Sequence, residues 1–187
     1  MRNMWDRARV LRAGGFTLIE LLVVIGVIGI LAAIMFPAIG AAKRAAKRHM
    51  ALNTVRSLET AFNAYLDEYN RAPRALPVAA TGNPEGSVPF LEVREDVLRM
   101  LRGQPLTGTY TVPPNPRNRM YMEVKDTQIV TNSFIDPWGQ PYKFMMDYNY
   151  DNSVTVGQFT TNLIGRRSAV WSDGPPEPPR VPITSWD

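Results

Sequence analysis

From Phe16 to Ala42 the chain runs FTLIELLVVIGVIGILAAIMFPAIGAA, 27 residues with one charged side chain, Glu20. As a helix rising about 1.5 Å per residue, this segment exceeds the roughly 20 apolar residues that span a bilayer core. An ordinary secretory signal fits poorly, since its apolar region is about 7–15 residues long and ends in a small-residue cleavage site. Here the basic stretch ends at Gly14-Gly15, before the apolar run begins.

The helix should continue past the membrane segment. Ala41 to Ala51 is alanine-rich, which favours helix. Apolar residues then recur at Leu52, Val55, Leu58, Phe62, Tyr65, Leu66 and Tyr69, the three-and-four spacing of one buried face. The opposite face carries Arg56, Glu59, Asn63, Asp67 and Asn70. From Phe16 to Tyr69 such a helix would measure about 80 Å. Proline marks its end: of 16 prolines only Pro37 precedes residue 73, so helix should stop near Arg71-Ala72-Pro73.

Beyond the helix the chain reads as a small, loop-rich domain. Residues 74–92 form a loop, and Val93–Arg102 a short helix. Strand-like alternation occurs at Met120–Val124, Gln128–Val130, Pro141–Tyr150 and Val154–Phe159, the last two separated by the turn-forming Asp151-Asn152-Ser153. The tail from Gly174 holds five prolines and should be an extended or disordered surface strap. These parts predict an α+β fold, one long N-terminal helix whose second half packs on a small antiparallel sheet.

Charge narrows the function. The net charge is +4, with 21 basic and 17 acidic side chains. Residues 1–15 hold four of the basic ones (Arg2, Arg7, Arg9, Arg12) against Asp6, leaving 17 basic and 16 acidic in the remainder. The basic balance belongs to a short leader, so no nucleic-acid surface is implied. The chain has no cysteine, which excludes disulfides, thiolate metal sites and a cysteine nucleophile. His49 is the lone histidine, beside a basic helix face, and there is no GxSxG, GxGxxG or GxxxxGK pattern. Nothing here points to an enzyme.

Gly15-Phe16-Thr17-Leu18-Ile19-Glu20 resembles the class III signal of type IV prepilins and type II secretion pseudopilins. The resemblance implies that a membrane prepilin peptidase cuts after Gly15 and methylates the new amine of Phe16. A residue without Cβ at Gly15 lets the backbone approach a catalytic centre closely. Glu20 has independent meaning, because a carboxylate inside an apolar segment is costly and calls for a partner. In the family that partner is the N-terminal amine of an adjoining subunit. Pro37 matches a proline that many members carry, and predicts a kink or local melt. Lys43, Arg44, Lys47 and Arg48 make both flanks basic, so charge alone leaves the orientation open. The resemblance places the leader inside and the globular part in the periplasm, anchored singly in the inner membrane. The implied organisation is a leader at 1–15, a transmembrane and assembly helix at 16–42, its amphipathic continuation at 43–73, and a periplasmic domain at 74–187.

Two further stretches resemble the major pseudopilin. One is Ala61-Phe62-Asn63-Ala64-Tyr65-Leu66-Asp67-Glu68-Tyr69-Asn70-Arg71-Ala72-Pro73, similar to that family's helix exit. The other is Phe134-Ile135-Asp136-Pro137-Trp138-Gly139-Gln140-Pro141-Tyr142. Physically the latter is a turn, with Gly139 free to take positive φ and with Trp138 and Tyr142 available to pack on the helix. The resemblance implies calcium in the C-terminal loop, with Asp173 as the candidate ligand. The chain departs there, running Pro175-Pro176-Glu177-Pro178-Pro179-Arg180 without the later acidic ligands. Asp147, Asn149, Asp151 and Ser153 partly imitate a calcium loop but lack its central glycine and final glutamate. A tyrosine-rich hairpin with an Asp-Asn turn explains them better. The partners implied are further copies of the chain in a filament, the prepilin peptidase, an inner-membrane assembly platform, minor pseudopilins and the bilayer. The alternatives are a type IV pilin for adhesion, motility or DNA uptake, and a binding or catalytic domain tethered by a pilin-like helix.

Overall fold

The structure, a computed structural model, describes residues 16–73, 88–106, 115–124, 128–178 and 180–186. The leader with Gly15, and most of the loop expected at 74–92, lie outside the described residues. The chain divides into two compact units, Met1–Lys43 and Arg44–Asp187.

Helix α1 covers Leu18–Tyr69 and passes through Pro37 without interruption, so the local melt expected there does not occur. Ala51, Val55, Leu58, Ala61, Phe62, Tyr65 and Leu66 are its buried residues. The predicted stripe holds at Val55, Leu58, Phe62, Tyr65 and Leu66, with Ala51 and Ala61 added, while Leu52 and Tyr69 at its ends are only partly buried. The helix ends two residues before the expected point. Asn70 takes the left-handed conformation (φ 47°) and donates its N–H to Leu66 O at 2.8 Å. Asparagine tolerates that conformation and stops the helix as glycine commonly does.

Within the second unit, β1 (Leu91–Glu92), β4 (Lys143–Met146), β7 (Ser168–Ser172) and β8 (Ile183–Thr184) form an antiparallel sheet in the order β1-β4-β7-β8. Every residue of β4 and β7 is buried, which requires cover on both faces. One face packs on α1: Phe62 stacks on Phe144 at 4.8 Å, and the Ser168 hydroxyl donates to Asn63 Oδ1 at 2.8 Å. The other carries Trp171, edge-on to Phe159 and Trp186 at 5.6 and 5.8 Å. Burying aromatic residues of this size is the largest apolar contribution a small domain has. The short helix α2 (Glu95–Leu101) falls where it was expected. The hairpin β2–β3 (Ile129–Val130, Ser133–Phe134) turns on Thr131 and Asn132, both at positive φ. That backbone matches a primed two-residue turn.

Three expectations need correcting. Met120–Val124 is not a strand; Tyr121 and Met122 donate their N–H groups to Leu101 O, which caps α2 instead of extending a sheet. The segments at 141–150 and 154–159 do not form a hairpin with each other. β4 pairs with β1 and β7, whereas β5 (Ser153–Val156) pairs with β6 (Thr161–Ile164). The cause is the loop between them. The Asp147 carboxylate accepts the N–H groups of Tyr150 and Asn152, both at positive φ, which curls the chain away from β4. Last, the proline-rich tail is a surface strap only in part: residues 176–178 are exposed, but Ile183 and Thr184 pair with Ser172 and Trp171 and are buried.

Candidate functional site

Two places carry the residues singled out in the sequence. The first is the start of α1. Thr17 precedes the helix and Glu20 occupies its third position, the spacing of a capping box. The Thr17 N–H donates to Glu20 Oε2 at 2.8 Å, the Thr17 hydroxyl donates to the same oxygen at 2.7 Å, and the Glu20 N–H returns a bond to Thr17 Oγ1 at 3.3 Å. This role is legible as T-x-x-E but lies hidden behind the membrane argument. Among the described residues nothing bonds Glu20 Oε1. The apolar residues around it are exposed, Phe16 at 83% and Leu18 at 82%. The helix is long and apolar enough to cross a membrane, and none of that stretch is buried within the chain. Such a surface is stable only against lipid or other apolar helices.

The basic residues Lys43, Arg44, Lys47 and Arg48 are exposed, as is His49. Glu59 and Asp67, placed on the polar face of α1, are tied to the turn before β7. Glu59 pairs with Arg166 at 2.9 Å and accepts from the Ser185 hydroxyl at 3.0 Å, and Asp67 pairs with Arg167.

The second place is the turn from Asp136 to Tyr142 and the loop it supports. Asp136 is buried; its Oδ1 accepts the N–H groups of Trp138 and Gln140 at 2.9 and 2.8 Å. Gly139 takes φ +85°, a conformation that the sequence left open to it. Asp136 Oδ2 accepts the hydroxyl of Ser172 at 2.6 Å, and Ser172 Oγ accepts the N–H of Gly174 at 3.0 Å. The turn thus reaches across to the end of β7. There Asp173 Oδ2 meets Lys143 Nζ at 2.7 Å, and Asp173 Oδ1 accepts the amide of Gln158 at 2.9 Å. Burial pushes the Tyr142 phenol up to about 12, with the neighbouring Asp136 charge adding in the same direction against a hydrogen bond from Thr54.

Residues 11–36 match the family model described as the prokaryotic N-terminal methylation motif. The chain is 29% identical over 134 residues to type II secretion system core protein G of Aeromonas hydrophila, covering 72% of this chain and 73% of that protein. To core protein G of Pectobacterium carotovorum subsp. carotovorum it is 30% identical over 134 residues, 72% of this chain and 67% of that one. The chain belongs to the core protein G family. To core protein G of Escherichia coli (strain K12) it is 34% identical over 87 residues, 40% of this chain and 60% of that relative. No solved structure matches.

Against the calcium expected from the core protein G resemblance, the donor set at Asp173 does not fit. Calcium takes six to eight oxygens. Here both carboxylate oxygens face donor groups, Lys143 and Gln158, and no group of three or more acidic or histidine side chains suited to a metal exists among the described residues. The pattern Asp147, Asn149, Asp151 and Ser153 is likewise spent on its own loop: Asp151 accepts from the N–H and hydroxyl of Ser153, and Asn149 exchanges bonds with Asp151. Sequence reasoning missed Lys143 and Gln158. A lysine inside the apolar strand Lys143-Phe144-Met145-Met146 was the available signal.

Proposed function

We propose that this chain is a structural subunit of a type II secretion pseudopilus, made as a prepilin and polymerised after processing. What carries the reading is the coincidence of the methylation-motif match over 11–36 with a membrane-length apolar run, Phe16 to Ala42, whose one charged side chain is Glu20 in the first turn of α1. Prepilin peptidase would cut between Gly15 and Phe16 and methylate the Phe16 amine. Glu20 Oε2 is occupied by the cap on Thr17, which leaves Oε1 to accept the amine of the next subunit. An uncompensated carboxylate in an apolar environment costs several kcal/mol, so docking that neutralises it favours assembly over the lone, membrane-held state. The exposed apolar face of residues 16–39 would serve lipid before assembly and neighbouring helices after it. Anchored singly in the inner membrane, the chain would place its second unit in the periplasm, where an assembly platform extracts it and minor pseudopilins join the fibre. No catalytic role is needed for any of these steps.

The test is the mass of the N-terminal peptide after co-expression with a prepilin peptidase, together with secretion in a strain carrying Glu20→Ala. A peptide that begins at Phe16 with one added methyl is expected, with secretion and filament formation abolished by Glu20→Ala while the protein still folds. An intact leader, or a cut beyond Ala42, would overturn the reading.

A further inference from the structure

Lysine is almost never fully buried unless paired. Lys143 is such a case: it lies in the fully buried strand β4, and its side chain is 9% exposed. Its ammonium is surrounded by three groups that suit a cation. Asp173 Oδ2 stands at 2.7 Å, Gln158 Oε1 at 3.2 Å, and the ring face of Phe90 at 4.0 Å from its centroid. Gln158 closes the ring of contacts. Its amide donates to Asp173 Oδ1 at 2.9 Å, and its oxygen also accepts the indole N–H of Trp171 at 3.2 Å. Glu92, the register partner of Lys143 on β1, turns toward Arg94 at 3.6 Å.

We infer that the Lys143 ammonium is a built-in cation for the C-terminal loop, closing the Asp173–Gly174 bend by an internal ion pair so that the domain needs no calcium. The three side chains come from separate elements: β4, the turn Gly157–Phe159 after β5, and the residue following β7. A bound metal would tie the same elements together. Here the tie is covalent to the strand, so it cannot dissociate or be chelated. A divalent ion at Asp173 would have to stand beside an ammonium already 2.7 Å from the carboxylate, and like charges that close repel. The next acidic side chain along the chain, Glu177, is exposed. This inference does not depend on the filament reading; a domain of this fold would show it whether or not it polymerises.

Thermal unfolding of the full-length protein in detergent micelles tests it, followed by tryptophan fluorescence because Trp171 sits in the network. The wild-type Tm is expected to agree within about 1 °C between excess EGTA and millimolar calcium chloride. Lys143→Met leaves the Asp173 carboxylate without a counter-charge, held only by the Gln158 amide, and should lower Tm by about 5–10 °C in both solutions. Asp173→Asn should do the same by orphaning the ammonium. The double variant Lys143→Met with Asp173→Asn should lose less than the sum of the singles, because neither charge is then left alone. Should Lys143→Met fail to fold, Asp173→Asn and the calcium comparison still decide. A wild-type Tm raised several degrees by calcium, or single variants without loss, would overturn the inference.

Discussion

Replacing Asp136 with alanine removes one buried carboxylate and three hydrogen bonds at once. Two come from backbone N–H groups, those of Trp138 and Gln140, and the third from the Ser172 hydroxyl. The losses are unequal. Gln140 is exposed and Trp138 half-buried, so water replaces much of what their N–H groups lose, about 0.5–1 kcal/mol each. Ser172 is fully buried, and its hydroxyl would face a void, which costs about 1–3 kcal/mol. The total for Asp136→Ala is about 2–5 kcal/mol. Asp136→Asn keeps an oxygen for the two turn N–H groups but turns an amide donor toward Ser172, whose oxygen already accepts from Gly174; about 1–2 kcal/mol is expected. Ser172→Ala combined with Asp136→Ala should cost less than the two single changes added together, since the orphaned hydroxyl is gone, with a coupling of about 1–2 kcal/mol. Guanidinium titration of the micelle-bound protein gives these values from the shift in midpoint at constant slope. An Asp136→Ala protein within about 1 kcal/mol of wild type, or strictly additive double-variant losses, would refute the claim that this turn is fastened to β7 through Asp136.

Gly174 sits at φ +77°, and a Cβ there would come within 2.3 Å of Val181 O. Gly174→Ala should therefore destabilise by more than about 2 kcal/mol and expose the tail to protease, whereas Gly139→Ala, at φ +85° with open space around the Cβ, should cost only the backbone preference of about 1–2 kcal/mol. Equal losses at the two positions would show that the contact with Val181 is unimportant. Alkali should also unfold the domain through its buried phenols. The folded Tyr142 titrates at about 12 against 10 for an exposed phenol, so the unfolded chain ionises first and stability falls as pH rises above about 10. The share lost between pH 10 and 12 is about 2–3 kcal/mol, and Tyr142→Phe should flatten the slope of midpoint against pH across that range. A slope unchanged by Tyr142→Phe assigns the alkaline loss to other groups.

The parts of the chain differ in how much of them the sequence reveals, and the reason is the range of the interactions involved. The membrane-length run, the buried stripe from Val55 to Leu66 and the positive φ of Gly139 all come from local rules: apolar length, helical period and turn chemistry. Those rules act within a few residues, so one chain read in order suffices. The strand partners of β4 depend on a different fact, the direction in which the chain leaves Met146. That direction is set when the Asp147 carboxylate captures N–H groups three and five residues ahead. Nothing in the alternation of residues 141–159 distinguishes this from a plain hairpin turn, because both use Asp and Asn for the same hydrogen-bonding ability.

The site divides along the same line. Glu20 stands out because a lone carboxylate in an apolar helix is an anomaly wherever it occurs. Asp173 shows in the sequence only as a candidate metal ligand, since its real partners lie 15 and 30 residues away, at Gln158 and Lys143. The anomaly that exposes it is the lysine in a strand otherwise made of Phe and Met. A charge in an apolar strand requires a counter-charge as surely as Glu20 does in its helix. Applied to β4, that requirement turns a missing set of calcium ligands into an expected ion pair. It also makes a general expectation for relatives of this chain: where the strand carries lysine at the position of Lys143, the C-terminal loop should be short of acidic residues, and where the strand is wholly apolar the loop should regain them.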